Sequence, residues 1–291
     1  MLSVLIPSYD TNVIPLFEEL HHQLTNSKLD FEIICIDNAS KSEKCSQNQK
    51  VNDMANCRYF ENSTDVGRSA IRNQLAFEAK GDWFLFLDDD VMPTNSDFIS
   101  RYKSVMNSNN EVVSGGLQYE NDSPKKGHLR YKYGIKHEQI DAKTRSQDPY
   151  KFFLASNLLI SKNVFDSIKF NEEITQYGYE DLLFSKDLKS RNVPIQHIDN
   201  PVYHLGIDEN EVFVEKSEHA IRNMQTLINK GILDSADTNI YKVYKRFKSL
   251  GFLWVFRAFS SHFRKKAIQG SLFYFNLYRL AFLSRLLKDS Q

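Results

Sequence analysis

Short apolar runs separated by amphipathic stretches organise the first hundred residues. Residues 2–6, 31–36, 57–60 and 83–87 are mostly apolar or β-branched runs, too short for helices and long enough for buried strands. Between the first two, Val13, Leu16, Phe17, Leu20 and Leu24 recur at helical spacing. Within 66–80, Ala70, Ile71, Leu75 and Ala76 do the same. Alternation of helices with strands that are apolar on both sides predicts a parallel α/β sheet covered by helices. Pro7 is expected to end the first strand. In such sheets ligands sit beyond the carboxyl ends of the strands. That rule singles out Pro7-Ser8-Tyr9, Asp37-Asn38-Ala39-Ser40 and Asp88-Asp89-Asp90.

From about 114 to 206 the pattern is mixed. Gly115-Gly116 punctuates a strand, and 121–148 is polar, on balance basic and poor in large apolar residues, hence expected to be loop. Residues 155–160 resume a buried pattern, 179–189 reads as a helix following Gly178, and 194–198 as a further strand. Residues 211–230 form an amphipathic helical pattern. Beyond 241 aromatic residues alternate with cations, and Gly251 and Gly270 suggest breaks between two or three helices. The expected division is a catalytic domain over 1–210, with halves 1–113 and 114–210, followed by a helical region over 211–291.

Composition narrows the class. With 291 residues, 41% hydrophobic and only 11 Gly and 7 Pro, the chain is neither collagen-like nor low-complexity. Lys+Arg and Asp+Glu both number 37, which argues against a strongly basic nucleic-acid binder. The balance hides an asymmetry: from Tyr241 on, eleven Lys and Arg face Asp289 alone. Cys35, Cys45 and Cys57 have no metal-ligand spacing, and a disulfide framework is not expected at this size. The first apolar run is too short for a signal peptide, and no window of eighteen apolar residues occurs. The expectation is a cytoplasmic protein, with its tail either resting on the inner face of the cytoplasmic membrane or packed as an ordinary helical subdomain.

The strand ends carry candidate chemistry. Three successive carboxylates after a very apolar strand need a compensating cation. Hard ions such as Mg²⁺ or Mn²⁺ take oxygen ligands and share them with substrate phosphates. A solvated acidic turn is the plainer alternative. Asp37 could accept hydrogen bonds from a nucleobase or ribose, or form a turn with Asn38 and Ser40. Gly67-Arg68-Ser69-Ala70-Ile71-Arg72 opens a helix, where a small residue and two cations suit a diphosphate. Arg68 and Arg72 could equally solvate a helix face.

The ordered set Val4-Leu5-Ile6-Pro7-Ser8-Tyr9, Ile36-Asp37-Asn38-Ala39-Ser40, Gly67 with Arg72-Asn73, and Phe86-Leu87-Asp88-Asp89-Asp90 resembles the family 2 glycosyltransferases of the GT-A fold over about residues 2–205. The resemblance implies a Rossmann-like mixed sheet and a nucleotide-diphospho-sugar donor, most commonly a UDP-sugar. It further implies Mn²⁺ or Mg²⁺ at an Asp-x-Asp motif and inversion at the anomeric carbon. By position, Pro7 and Asp37 would line the nucleobase pocket with Arg68 or Arg72 nearby, and Ser8, Tyr9, Asn38 and Gly67 would also bind the donor. Asp88 or Asp89 would contact the donor, and Asp90, with Asp88 and His204, would bind the metal. Tyr177-Gly178-Tyr179-Glu180-Asp181 resembles the family's Gly-x-Glu-Asp segment, implying Asp181 as general base and Glu180 as support or acceptor contact. An acidic first helical turn would also complement the helix dipole. Ser156 and Asn157 could hydrogen-bond sugar hydroxyls of a glycan or lipid-linked acceptor, or form a strand-end turn.

Two other classes use similar parts. A sugar-nucleotide pyrophosphorylase or nucleotidyltransferase would carry a Gly-rich basic loop after the first strand, which Pro7-Ser8-Tyr9-Asp10 is not. A non-catalytic sugar- or membrane-binding module on the same core would have no need of the acidic triplet and of Glu180-Asp181.

Overall fold

A computed structural model describes residues 1–107 and 110–289, without the side chains of residues 44, 45 and 289. Its strands are β1 (Leu2–Ser8), β2 (Phe31–Asp37), β3 (Cys57–Glu61), β4 (Trp83–Leu87), β5 (Val91–Pro93), β6 (Val112–Ser114), β7 (Leu117–Gln118), β8 (Asn157–Ser161), β9 (Gln196–His197) and β10 (Val202–His204). The main sheet runs β3-β2-β1-β4-β8-β6-β9, and a small sheet runs β5-β10-β7. Strands β3, β2, β1 and β4 are mutually parallel, while β8 pairs antiparallel to both β4 and β6.

Both faces of this sheet are covered, which is why its central strands are largely apolar. Val4, Ile6, Ile33, Cys35, Leu85 and Leu87 pack with Leu16, Phe17, Leu20 and Leu24 of the helix Ile14–Ser27. Leu5, Ile34, Phe84 and Phe86 point the other way, against Ile71 and Leu75 of Arg68–Glu78 and Phe184 and Leu188 of Glu180–Ser190. Successive strand residues alternate faces, so a run without polar gaps needs two apolar layers to bury it. The second layer is aromatic: Phe170 stacks on Phe184 with ring centres 4.3 Å apart, and Phe165 lies 5.3 Å from Phe86.

Several sequence expectations change. β1 continues through Pro7 to Ser8, because Pro7 lies beyond the last β1–β4 pair at Leu5 and pairs only with β2, so its missing N–H breaks no ladder there. His204 is the last residue of β10. The expected loop at 121–148 contains the helices Leu129–His137 and Ala142–Arg145. Among its described residues the tail holds four helices, Asn239–Ser249, Leu253–Ala258, Ser260–Ile268 and Leu272–Asp289, with breaks at Gly251 and Gly270 where φ is positive.

The chain forms two compact units, one of 1–120, 137–175 and 180–206, the other of 121–136, 176–179 and 207–291. The expected boundary at 210 was contiguous; the second unit instead takes two segments from the middle of the chain. Within it, Leu129 packs with Phe213, Val214, Ala267, Phe275 and Tyr278. Glu218 accepts hydrogen bonds there from Tyr278 and Arg264, and Arg264 also pairs with Glu211 and Glu215. Among the described residues no helix is long and apolar enough to cross a membrane.

Candidate active site

The chain order of the sheet reverses between β1 and β4, and the candidate residues gather at the carboxyl ends of the strands there. The Tyr9 N–H donates to Asp89 Oδ2 at 2.9 Å, joining the end of β1 to the acidic triplet. The Asn38 N–H donates to the Ser8 carbonyl at 2.8 Å. Asp37 is 1% exposed; its two oxygens accept from the Ser40 N–H and hydroxyl at 2.7 and 2.6 Å. Ser40 Oγ in turn accepts from the Asp10 N–H. Asp37 therefore shapes the turn that follows β2. Asn38 does likewise, donating to Asp65 and accepting from the Val66 N–H. Pro7 is half-buried, Ser8 is buried and Tyr9 is exposed at the rim.

Gly67 sits at the N-cap of Arg68–Glu78 with φ +83°, a conformation open to glycine at little cost. Its N–H donates to Asp65 Oδ1, so Asp65 orders this loop from both sides. The helix it opens presents two cations with different surroundings. Arg72 is 3% exposed, lies over the Phe170 ring and donates to Asp88 Oδ1 at 2.7 Å. Arg68 is half-exposed and donates to Glu180 Oε1 at 3.2 Å.

The three aspartates part company. Burial alone would raise the Asp88 pKa, but Arg72, Arg68 and His204 outweigh it and hold Asp88 ionised below its ordinary range. Asp89 is pushed up to about 6 by burial and by the Asp90 charge, against its bond from Tyr9. Asp90 Oδ2 lies 3.6 Å from His204 Nε2. The imidazole is stacked on Tyr119 at 5.6 Å, and Tyr119 itself donates to Glu138. A Cβ on Gly206 would overlap Asp90 Oδ2, so the carboxylate occupies space that only glycine leaves.

This arrangement bears on the expected metal ligands. Among the described residues no group of three or more His, Cys, Asp and Glu side chains gathers for a metal. Of the expected set Asp88, Asp90 and His204, Asp90 and His204 lie 3.6 Å apart, whereas Asp88 is paired with Arg72. A pair of one oxygen and one nitrogen donor fits a divalent ion that completes its shell with water and phosphate oxygens, and the imidazole suits Mn²⁺ better than Mg²⁺. The Asp90 charge raises the Asp89 pKa, a repulsion that a bound cation would relieve.

Glu180 and Asp181 begin the helix Glu180–Ser190, where acidic groups complement the free N–H groups. Glu180 is buried, with Oε2 unpartnered. Asp181 Oδ2 accepts from the Ala155 N–H at 3.3 Å, whereas Oδ1 is buried without a partner. Burial, then the Glu180 and Asp88 charges, raise the Asp181 pKa to about 7 despite Arg72. Such a carboxylate is built to take up a proton near neutrality.

The acceptor residues fare differently. Asn157 is 1% exposed and its amide is fully used: Nδ2 donates to the Gly116 and Asn200 carbonyls and Oδ1 accepts from Tyr102. It is a strut between β8 and the loops beside it, not an acceptor contact. Ser156, beside Asp88 through a carbonyl that accepts the Asp88 N–H, remains at the site. Sequence reasoning missed Asp65, Tyr119 and Gly206. Only Gly206, two residues past the end of β10, gave a local signal.

A family model described as glycosyl transferase family 2 matches residues 3–169, more than half of the chain, and the chain belongs to that family. An uncharacterized glycosyltransferase of Haemophilus influenzae is 37% identical over 91 residues, 31% of this chain and only 29% of that protein's length. The mannosyltransferase PcManGT of Pyrobaculum calidifontis, solved with GDP-Man and Mn²⁺, aligns with a TM-score of 0.59 at 13% identity, over 99% of this chain and 86% of that one. S. aureus TarS 1–349 with UDP-GlcNAc aligns at 0.51 and 16% identity, over 100% and 92%. The chain spans 54% of the longer TarS structure. These likenesses concern the GT-A fold, a largely parallel sheet with flanking helices.

Proposed function

We propose that this protein is an inverting glycosyltransferase that moves a sugar from a nucleotide-diphospho-sugar, a UDP-sugar in the first instance, to a hydroxyl of a glycan or lipid-linked acceptor. The observation that carries the reading is Asp181, with one oxygen fixed by Ala155, the other buried without a partner, and a pKa raised to about 7. Around it lie the groups a diphosphate leaving group needs, namely Arg72 on Asp88, Arg68 on Glu180 and the Asp90–His204 pair. Neighbours of the same fold bind UDP-GlcNAc, or GDP-Man with Mn²⁺, which supports a nucleotide-sugar donor and a divalent ion.

The acceptor oxygen attacks the anomeric carbon as the bond to the diphosphate oxygen breaks. Asp181 Oδ1 takes the acceptor proton, and the electron pair of the broken bond leaves with the nucleoside diphosphate. Arg68, half-exposed at a helix N-terminus, is placed to bind the diphosphate, while buried Arg72 keeps Asp88 ionised and oriented. Asp37 and Asn38 hold the turn against which the nucleobase rests, and Tyr9 offers it a ring at the rim. A divalent ion held by Asp90 and His204 would supply charge neutralisation on the leaving group.

The test is release of UDP, GDP or dTDP from a panel of sugar nucleotides, with and without Mn²⁺. Metal-dependent release from one donor is expected. Release from none, together with unperturbed calorimetric titrations of every donor, would remove the reading.

A further inference from the structure

The second unit contains a cleft of about 250 Å³ that the sugar-transfer reading does not use. Its walls include Lys248, Arg257 and Lys288, together with Tyr244, Trp254 and Leu287. None of the three cations makes an ion pair with a carboxylate among the described residues. Arg264 of the same unit, by contrast, is held by Glu211, Glu215 and Glu218. Arg264 is thus neutralised by carboxylates within the unit, and the three cations of the cleft are not. Three unpaired cations around a concavity are a site for a multiply charged anion such as a phosphate.

The rim adds a second requirement. Gly251 turns the chain with φ +72° between the helices Asn239–Ser249 and Leu253–Ala258. Around that turn Leu250, Phe252 and Trp254 are 57%, 53% and 63% exposed. An isolated exposed apolar residue needs no explanation, but three within five positions, continuous with a cationic cleft, form an amphiphilic surface. A free phosphate would use the cations and leave this apolar ridge in water. From Tyr241 on the chain carries eleven Lys and Arg and one Asp, which also repels a second copy of the same surface.

We propose that this cleft binds the phosphate headgroup of an anionic membrane lipid, with Leu250, Phe252 and Trp254 inserting among the acyl chains beside it. The contact holds the protein at a membrane surface and is independent of which donor the first unit uses.

The experiment is flotation of the full chain with vesicles of phosphatidylcholine, alone or mixed with phosphatidylglycerol. At least tenfold tighter binding to the mixed vesicles, weakening with added salt, is expected. Each Lys or Arg beside an anionic surface contributes about fivefold in partitioning, so Lys248→Glu combined with Arg257→Glu should lower it by at least about 25-fold. Lipids brominated on the acyl chain should quench the tryptophan fluorescence of the parent protein and not that of Trp254→Phe. Circular dichroism melts of each variant separate loss of binding from loss of fold. Equal binding to neutral vesicles, retention by the charge-reversed variant, or release of the protein by inorganic phosphate alone would overturn the proposal. So would a stable dimer that Trp254→Ala dissociates. The readout is vesicle binding, so a negative result leaves the sugar-transfer reading where it stands.

Discussion

At Asp88, Asp89 and Asp90 the same side chain meets three surroundings in succession: a buried guanidinium, the backbone N–H of Tyr9 just past β1, and an imidazole across from a glycine. Three carboxylates adjacent in the chain thereby have different partners, and so do Glu180, which accepts from Arg68, and Asp181, which accepts from the Ala155 N–H. Asp181→Asn should reduce turnover by about 10²–10⁴-fold, the usual contribution of a positioned base, with donor affinity unchanged by calorimetry. Because burial and Glu180 raise the proton affinity of Asp181 to about 7, kcat/KM should climb with pH and level off near neutrality. Glu180→Gln removes a neighbouring negative charge, so that limb should move to lower pH; a limb that stays put assigns it to another group. Gly206→Ala should displace the Asp90 carboxylate and weaken Mn²⁺-dependent donor binding at least tenfold. The melting temperature should change little, since the displaced atom ends a flexible side chain.

Elements decide where polar residues belong. Asn157 looked from the sequence like a strand-end contact for sugar hydroxyls, and packing made it a strut with all its hydrogen bonds inside the protein. Asn157→Ala should therefore cost about 1–3 kcal/mol in chemical denaturation, the price of orphaning a buried carbonyl or hydroxyl, and leave acceptor KM unchanged. The helix Leu129–His137 was misread for a related reason. Its few apolar residues, Leu129 among them, have their partners in Phe213 and Phe275, some eighty or more residues further along. A segment that contributes a small part of a shared core has a weak pattern of its own. By contrast β4 and the helix Arg68–Glu78 were legible almost to the residue, because each buries a whole face inside its own unit.

Across the whole molecule, a single buried cation ties the later strands of the first unit together. Arg145 donates to the Ser114, Gly115 and Ile198 carbonyls and to His197 Nδ1, whose Nε2 faces the Pro149 carbonyl. Asp199, Tyr102 and Asp141 are the other ionisable groups near Arg145. With a guanidinium donating to one ring nitrogen, His197 is neutral, and burial and Arg145 lower its pKa. The unfolded chain then binds the proton more readily than the folded one. Stability is complete above about pH 6.5 and falls as pH drops below it, by about 1.4 kcal/mol per unit at most until the depressed folded value is reached. Urea titrations at stepped pH, with His197→Gln as the comparison, measure this; a variant with the same acid sensitivity as the parent would refute it.

The order of apolar runs determined the parallel sheet, its covering helices and the strand ends where chemistry gathers, because burial on both faces writes itself into consecutive residues. The acidic triplet, the two arginines and Glu180-Asp181 were likewise visible as residue types. Which carboxylate pairs with Arg72, which is left with an unpartnered oxygen, and which asparagine is consumed by the frame were decided by tertiary structure alone. Those outcomes depend on partners tens to more than a hundred residues away, and no local pattern records the distance between atoms that only folding brings together.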